Sequence, residues 1–336
     1  MNLHNLEILV AVATHGNLSR AARSANLSKS ALSRSIQALE SELGTALVDR
    51  SKRELELTTA GLVVFSHAQD ILARANDLAR QVGVLRGEKR QRLNLGAGPY
   101  AADLLVTDAV AEFSKVKPHV RVQYIVGNRN ALRLSLLARE LEIMVSGIGD
   151  FENPEGIELE PLAQHKAFFV VRPSHPLAGK RDVDLDQVFS FPLAVGINLG
   201  ARLMGPVTKH MSGRSQKPIP AIECDDFLAL RKILKQTDAI SAFPLASIET
   251  EIRNGELTAI PFHLPWMSTD FGFVQLRDRP LSPAAIELKR LIMEKNLQAL
   301  ARGEQMEKQL FGARSQQRPL EAGAKRRRPS RLLKKK

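Results

Sequence analysis

At 336 residues the chain is long enough for about two domains with separate cores, and its 44% hydrophobic and 25% charged residues exclude a wholly disordered protein. The formal charge of +12 is unevenly spread: residues 313–336 carry ten Lys and Arg against Glu321 and supply +9 of it, so the remainder is only mildly basic. Cys224 is the one cysteine, which excludes an intramolecular disulfide. No apolar run reaches membrane-spanning length and residues 1–18 lack the signal-peptide pattern, so a cytoplasmic location is expected.

Leu3, Leu6, Leu9, Val10 and Ala13 form the stripe of a first helix over residues 2–14. Two short helical patterns follow, with a break at Asn26. Leu18, Ala21, Ala22 and Ala25 make one small apolar face, with Ser19 expected as its cap; Leu32, Ile36, Leu39 and Leu43 make the next, with Ser28 as cap and Gly44 at its end. Opposite the second apolar face stand Lys29, Ser30, Ser33, Arg34 and Gln37, spaced three or four apart. That side offers donors, two cations and no acid, which suits the base edges and phosphates of a major groove. A merely solvated face is the competing reading. Leu47 and Val48, the basic tip at Arg50, Lys52 and Arg53, and then Leu55 and Leu57 read as a two-stranded wing whose Arg53 reaches the adjacent minor groove.

Thr58 can cap a long helix running to about Leu85. Within it Val64, Ala68, Ile71, Ala75, Leu78, Val82 and Leu85 keep a heptad register, which predicts a coiled-coil partner helix and a dimer; a helix docked on its own domain is the alternative. A polar, basic hinge at residues 88–92 follows. From Leu93 short apolar strands alternate with helices, which predicts an α/β domain with largely parallel sheets. Pro99 opens a helix to Lys115 with Leu105, Ala109 and Phe113 inward, and a last helix runs from Pro283 to about Leu297.

The N-terminal residues closely resemble the LysR-type transcriptional regulators. The family's A-A-R, then S-x-x-A-L-S-R-x-I-x-x-L-E-x-x-L-G, then L-x-x-R and L-T-x-A-G stand here as Ala21 to Arg23, Ser28 to Gly44, Leu47 to Arg50 and Leu57 to Gly61. Downstream, SHPLA at 174–178, VDLDQV at 183–188, ECDDFLAL at 223–230, NGELTAIPF at 254–262 and RDRPLSPAA at 277–285 follow the family's order of phrases. The resemblance covers roughly the first 300 residues. It implies an N-terminal all-α winged helix-turn-helix domain at 1–58, a linker (dimerisation) helix at 59–87 and an effector-binding α/β domain at 93–300. That domain would have two subdomains resembling type 2 periplasmic solute-binding proteins, with crossovers near 163–166 and 263–268. It further implies a homodimer or homotetramer on an interrupted inverted repeat of double-stranded DNA, RNA polymerase as a partner, and a small-molecule effector held between the subdomains, with no catalytic cofactor.

Gly98, Tyr100, Ala101, Asn128, Arg129, Asn198, Arg202 and Ser241 are the residues expected to border that effector. Many relatives place a serine or threonine at the first turn to hold a carboxylate; this chain has Gly98, Pro99 and Tyr100, which argues against a small carboxylate. Gly96, Gly98 and Ala101 also spell G-x-G-x-x-A, but the following strand ends at Asn128 rather than at an acid, so the dinucleotide fingerprint is incomplete. Asp225 and Asp226 open a helix, where acids favour the dipole, and no histidine falls in an H-E-x-x-H pattern. Two other classes compete with the regulator: a nonspecific architectural DNA-binding protein using the basic, disordered tail at 313–336, and a nucleotide-dependent enzyme built on Gly96 and Gly98.

Overall fold

The computed structural model describes residues 2–49, 56–85, 92–149, 151, 156–197, 201–211 and 220–312. Helices α1 (Leu3–His15), α2 (Leu18–Ser24) and α3 (Lys29–Leu43) lead into an antiparallel pair, β1 (Val48–Asp49) with β2 (Glu56–Leu57), and then α4 (Thr59–Leu85). The chain continues through β3 (Arg92–Ala97), α5 (Pro99–Ala101), α6 (Thr107–Val116), β4 (Arg121–Val126), α7 (Arg129–Leu137), β5 (Ile143–Gly147) and β6 (Ile157–Pro161). Next come β7 (Ala167–Val171), α8 (Leu185–Phe189), β8 (Ala194–Val195), α9 (Ala201–Met211), β9 (Ile222–Glu223), α10 (Phe227–Gln236) and β10 (Ser241–Pro244). A 3-10 turn at Leu245–Ile248, α11 (Glu249–Arg253), β11 (Thr258–Ala259), β12 (Phe271–Leu276) and α12 (Pro283–Phe311) complete it. These elements form two compact units, one from Met1–Leu162 with Phe271–Asn296 and the other from Ala163–Asp270 with Leu297 onward.

The first unit begins with the winged helix-turn-helix head. Asn17, not Ser19, caps α2, because Leu18 is already helical and only the residue before it can reach back; its side chain accepts from the amides of Ser19 and Arg20. At the far end Asn26 takes a left-handed φ of 52°. The amides of Leu27 and Asn26 then return to the carbonyls of Ala22 and Arg23, at 2.9 and 3.2 Å, closing a Schellman turn in which Asn replaces the usual glycine. The fully buried Ala21 lets α1, α2 and α3 approach closely around Leu6, Leu9, Val12, Leu32, Ile36 and Leu39.

In the same unit a five-stranded sheet runs in the order β4-β3-β5-β12-β6. The β4-β3-β5 part is parallel, whereas β12 pairs antiparallel with both β5 and β6. Gly96 sits in a tight place: a β-carbon there would come within 2.7 and 2.9 Å of the ends of the Leu141 and Leu132 side chains, which would have to shift. The helix expected from Tyr100 to Lys115 is instead α5 and α6 joined by a π-helical stretch, Ala102–Val106, with Leu105, Ala109 and Phe113 buried as anticipated.

The second unit holds an antiparallel sheet, β10-β7-β11, and a short parallel pair, β8-β9, so the expectation of largely parallel sheets fails for β7 and its neighbours. Phe169, Val171, Val188, Leu193, Ile240 and Ile260 form its main core. The last helix extends to Phe311 rather than ending near Leu297. Its final turns are held in this unit by Met306 in a cluster with Phe168 and Leu245, by Phe311 against the Phe168 ring at 5.4 Å, and by a Lys166–Glu307 ion pair at 3.1 Å.

Candidate nucleic-acid interface and effector groups

The proposed reading face occupies the start of α3. Ser28 caps this helix, its hydroxyl oxygen accepting from the Ala31 amide at 3.1 Å, and also lies 3.0 Å from the Ser30 hydroxyl. Lys29, Ser30, Arg34 and Gln37 are exposed and Ser33 is half-buried, while Leu32, Ile36 and Leu39 on the opposite side are buried. Neither Lys29 nor Arg34 forms an ion pair among the described residues, so both cations face outward uncompensated. Arg53 lies outside the described residues.

Other residues of the same signature hold the head together. The Glu40 carboxylate turns away from the reading face and accepts from the Leu47 and Val48 amides, at 2.9 and 3.2 Å, orienting the first wing strand. Thr58 donates its hydroxyl to the Ala46 carbonyl at 2.7 Å and accepts from the Gly61 amide at 2.9 Å, tying the wing to the start of α4. Reading α3 as a cationic face overlooks Glu40, whose single carboxylate falls just beyond that face.

The seven heptad residues of α4 do not make one outward seam. Ala68 is fully buried, and Val64 and Ile71 pack with it against the core of the head. Ala75 is half-buried, Leu78 and Val82 are exposed at 64% and 37%, and the Leu85 side chain lies outside the described residues. The first half of the stripe therefore serves its own domain, because α1 supplies the apolar surface that a partner helix was expected to supply. Leu62 and Val63, both more than half exposed, were not part of the expected seam.

Five expected effector residues lie in the first unit. The Gly98 amide donates to the Val145 carbonyl at 2.8 Å and no side chain caps the helix that begins at Pro99. Ala101 is fully buried and Tyr100 half-buried. Ser146, which the sequence did not single out, comes from β5 to this turn: its hydroxyl would stand 3.1 Å from a β-carbon at Gly98. The turn thus has a nearby hydroxyl from a different strand. Asn128 is occupied as the cap of α7, accepting from the Ala131 amide at 2.9 Å. Arg129 is half-exposed and has no ion pair among the described residues.

In the second unit Arg202 is not a waiting counter-charge. It pairs with Asp270 at 3.4 Å and donates to the carbonyls of Trp266 and Ser268 and to the Ser268 hydroxyl, fastening α9 to the 266–270 segment. Ser241 is fully buried, and neither its hydroxyl nor the buried Trp266 indole nitrogen has a hydrogen-bond partner among the described residues. Asn198 lies outside the described residues. Asp225 accepts from the Ile197 amide at 3.0 Å and Asp226 caps α10, so each carboxylate has a structural partner. Among the described residues no cluster of three His, Cys, Asp or Glu side chains could hold a metal, and no helix is long and apolar enough to cross a membrane.

A winged helix-turn-helix whose α3 carries an exposed cationic face, followed in the same chain by an α/β fold, is the architecture of a DNA-binding regulator. Residues 3–62 match the family described as bacterial regulatory helix-turn-helix protein, lysR family, and residues 86–296 match the LysR substrate binding domain. The chain belongs to the LysR family of transcriptional regulators. It is similar to the SDS degradation transcriptional activation protein of a Pseudomonas strain, 35% identical over 300 residues that cover 88% of this chain and 96% of the relative. It is also similar to the uncharacterized HTH-type transcriptional regulator YdcI of Escherichia coli, at 27% identity over 78% of this chain and 85% of the relative. Among solved structures, full-length OxyR from Pseudomonas aeruginosa shares the fold at a TM-score of 0.62 and 19% identity, covering 88% of this chain and 94% of that one. Full-length CbnR in complex with its target DNA does so at 0.57 and 21%, covering 90% and 100%. The Pseudomonas and Escherichia coli relatives are named for transcriptional activation and transcriptional regulation, and the protein is a DNA-binding regulator of transcription.

Proposed function

We propose that the protein binds an interrupted inverted repeat as a homodimer or homotetramer and adjusts transcription by RNA polymerase in response to a small-molecule effector. The observation that carries the DNA reading is the α3 face: Lys29 and Arg34 exposed, unpaired with any described acid and mounted on the first two turns of a helix whose other side buries Leu32, Ile36 and Leu39. Arg34 and Gln37 have the reach and donors for base edges, Lys29, Ser30 and Ser33 suit phosphates and sugar edges, and Arg53 is assigned to the neighbouring minor groove. Exposed Leu78 and Val82 are the part of the heptad stripe left for a partner helix.

For the effector, the Ser146 hydroxyl beside the Gly98 turn and the Arg129 guanidinium, both in the first unit, support a polar or anionic head group. The similar Pseudomonas protein is named for SDS degradation, so an alkyl sulfate is the first effector to test. Selection of binding sites from random-sequence DNA with the full-length protein, followed by footprinting with and without dodecyl sulfate below its micellar concentration, tests the reading. A recovered two-fold symmetric site supports it. Recovery of no preferred sequence would overturn it.

A further inference from the structure

The phrase Arg277 to Ser282 and the middle of α4 meet in a network of five charged side chains. The α4 helix offers one charge of each sign, Arg74 and Asp77, and the loop after β12 offers the reverse, Asp278 and Arg279. They pair crosswise: Arg74 with Asp278 at 2.7 Å and Asp77 with Arg279 at 2.7 Å. Arg139, at the end of α7, bridges the two acids, contacting Asp77 at 3.2 Å and also Asp278. Arg279 in addition donates to the carbonyls of Arg139 (3.0 Å) and Leu141. The centre of the network is nearly dry, with side chains of Arg139, Arg279 and Asp77 exposed by only 6%, 8% and 10%; its outer arm, Asp278 and Arg74, is 45% and 63% exposed.

Two further observations make this more than a surface ion cluster. Arg139 has φ of 58° and sits where a Schellman turn closes α7, with its amide bonded to Leu136 and the next amide, of Glu140, bonded to Ser135. Glycine ordinarily occupies that position because any β-carbon there is strained; the arginine sits there at a conformational cost that its side chain offsets through Asp77 and Asp278. Second, the seam is not tightly packed. An open cavity of about 850 Å³ lies alongside it, lined from α4 by Asn76 and Gly83 and from the sheet by Asn94 and Gln123. A permanent joint would be at least as well served by apolar packing, since a buried ion pair seldom improves on it. Charged faces, however, can part and be rehydrated, whereas an apolar seam once opened would stay sticky.

We propose that this network is a releasable joint that docks the linker helix on the first sensor subdomain and thereby sets the angle at which the DNA-reading head is presented. The inference rests on the regulator reading above. Its role is to fix the preferred separation of the two half-sites, and opening the joint frees that separation while leaving each head's base contacts unaltered.

The test uses full-length Arg139→Gly, which removes the bridge while relaxing the backbone and so keeps the fold, alongside Asp278→Asn on the exposed arm. Amide exchange of Asn76 to Ala79 in the DNA-free protein reads the joint itself, and affinity for the selected site with its half-site spacer lengthened or shortened reads the coupling. The expected result is exchange at least tenfold faster in Arg139→Gly, with Asp278→Asn between it and wild type, and a spacing preference reduced from about tenfold to under threefold with binding to the half-sites retained. Unchanged exchange would show that no joint holds α4. Faster exchange with the wild-type spacing preference would overturn the coupling and leave only a structural contact. Failure to select any DNA site would sink the regulator reading, while the exchange measurement would still report on the joint.

Discussion

Gly61 lies so close to the carbonyl group of Leu47 that a β-carbon at this position would overlap its oxygen, and would also approach Cβ of Leu57 to 3.2 Å. The first turn of α4 therefore passes under both wing strands only because residue 61 has no side chain. Gly61→Ala is expected to force the wing from the helix and cost about 1–3 kcal/mol, the usual range for overpacking a tight site. A drop in the midpoint of thermal unfolding together with weakened DNA binding would bear this out; an unchanged midpoint would mean that the wing yields freely.

Arg34→Ala should weaken binding to the selected DNA site by about 1–3 kcal/mol and relax base preference at one position of each half-site, whereas Lys29→Ala should weaken all sequences alike and lower the salt slope by about one. Fluorescence anisotropy over a salt series on matched and single-mismatch duplexes separates the two. If both substitutions leave affinity and preference intact, the exposed face of α3 is not the reading face.

Removing residues 313–336 takes away nine net positive charges and should flatten the dependence of log affinity on log salt, because each phosphate neutralised contributes a slope of about 0.9. The preference for the selected site over random DNA should survive. Loss of nearly all binding on truncation would favour the architectural reading over the regulator.

Two histidines of the second unit predict a pH dependence. Burial holds both His175 and His263 below the ordinary 6.5, outweighing the pull of the Asp238 carbonyl on the first and of the Ala167 carbonyl on the second. Each takes up its proton less readily in the fold than in the unfolded chain, so around pH 6.5 and below the unfolded chain binds more protons and stability falls as pH falls through that value. His175 serves the fold in its neutral form: one ring nitrogen accepts from the Leu177 amide at 3.1 Å and the other faces the Asp238 carbonyl at 3.3 Å. Asp278 does not blur this window. Partial burial raises its pKa, but Arg139 and Arg74 outweigh that and hold it below 3.8, so its contribution is present above 3.8 and lost only on stronger acidification. Urea midpoints measured from pH 7.5 to 5.5 should decline, and His175→Asn should shallow the decline. A flat wild-type profile would refute the assignment.

Much of the first 60 residues was legible because the signals there are local. Ser28 and Gly44 bound α3 through their own backbone chemistry, and the period of Leu32, Ile36 and Leu39 places the opposite side in solvent whatever the rest of the chain does. Ser19 was misread by two positions because Asn17 competes for the same amides, and only the helix start decides between them. The α4 stripe was legible as apolar but not as to what covers it: a heptad pattern cannot distinguish a second chain from α1 of the same chain.

The sensor was read with less success for a related reason. Two-residue strands such as β8 and β11 carry no periodicity, and the direction in which β12 joins β5 and β6 depends on a return from residue 162 to residue 271 that no local pattern encodes. Arg202 looked available because its partner Asp270 is distant in sequence, and Ser146 was passed over because nothing near it in sequence reveals that Gly98 will lie beside it. What the residues by themselves determined is a cationic helix face, its caps and the strand-and-helix rhythm of the sensor, all set by neighbours within about four positions. What only the tertiary structure decided is which charges are neutralised, which apolar residues are already covered and which buried hydroxyls lack a partner, because burial and charge pairing depend on groups that the folded chain brings together from far apart.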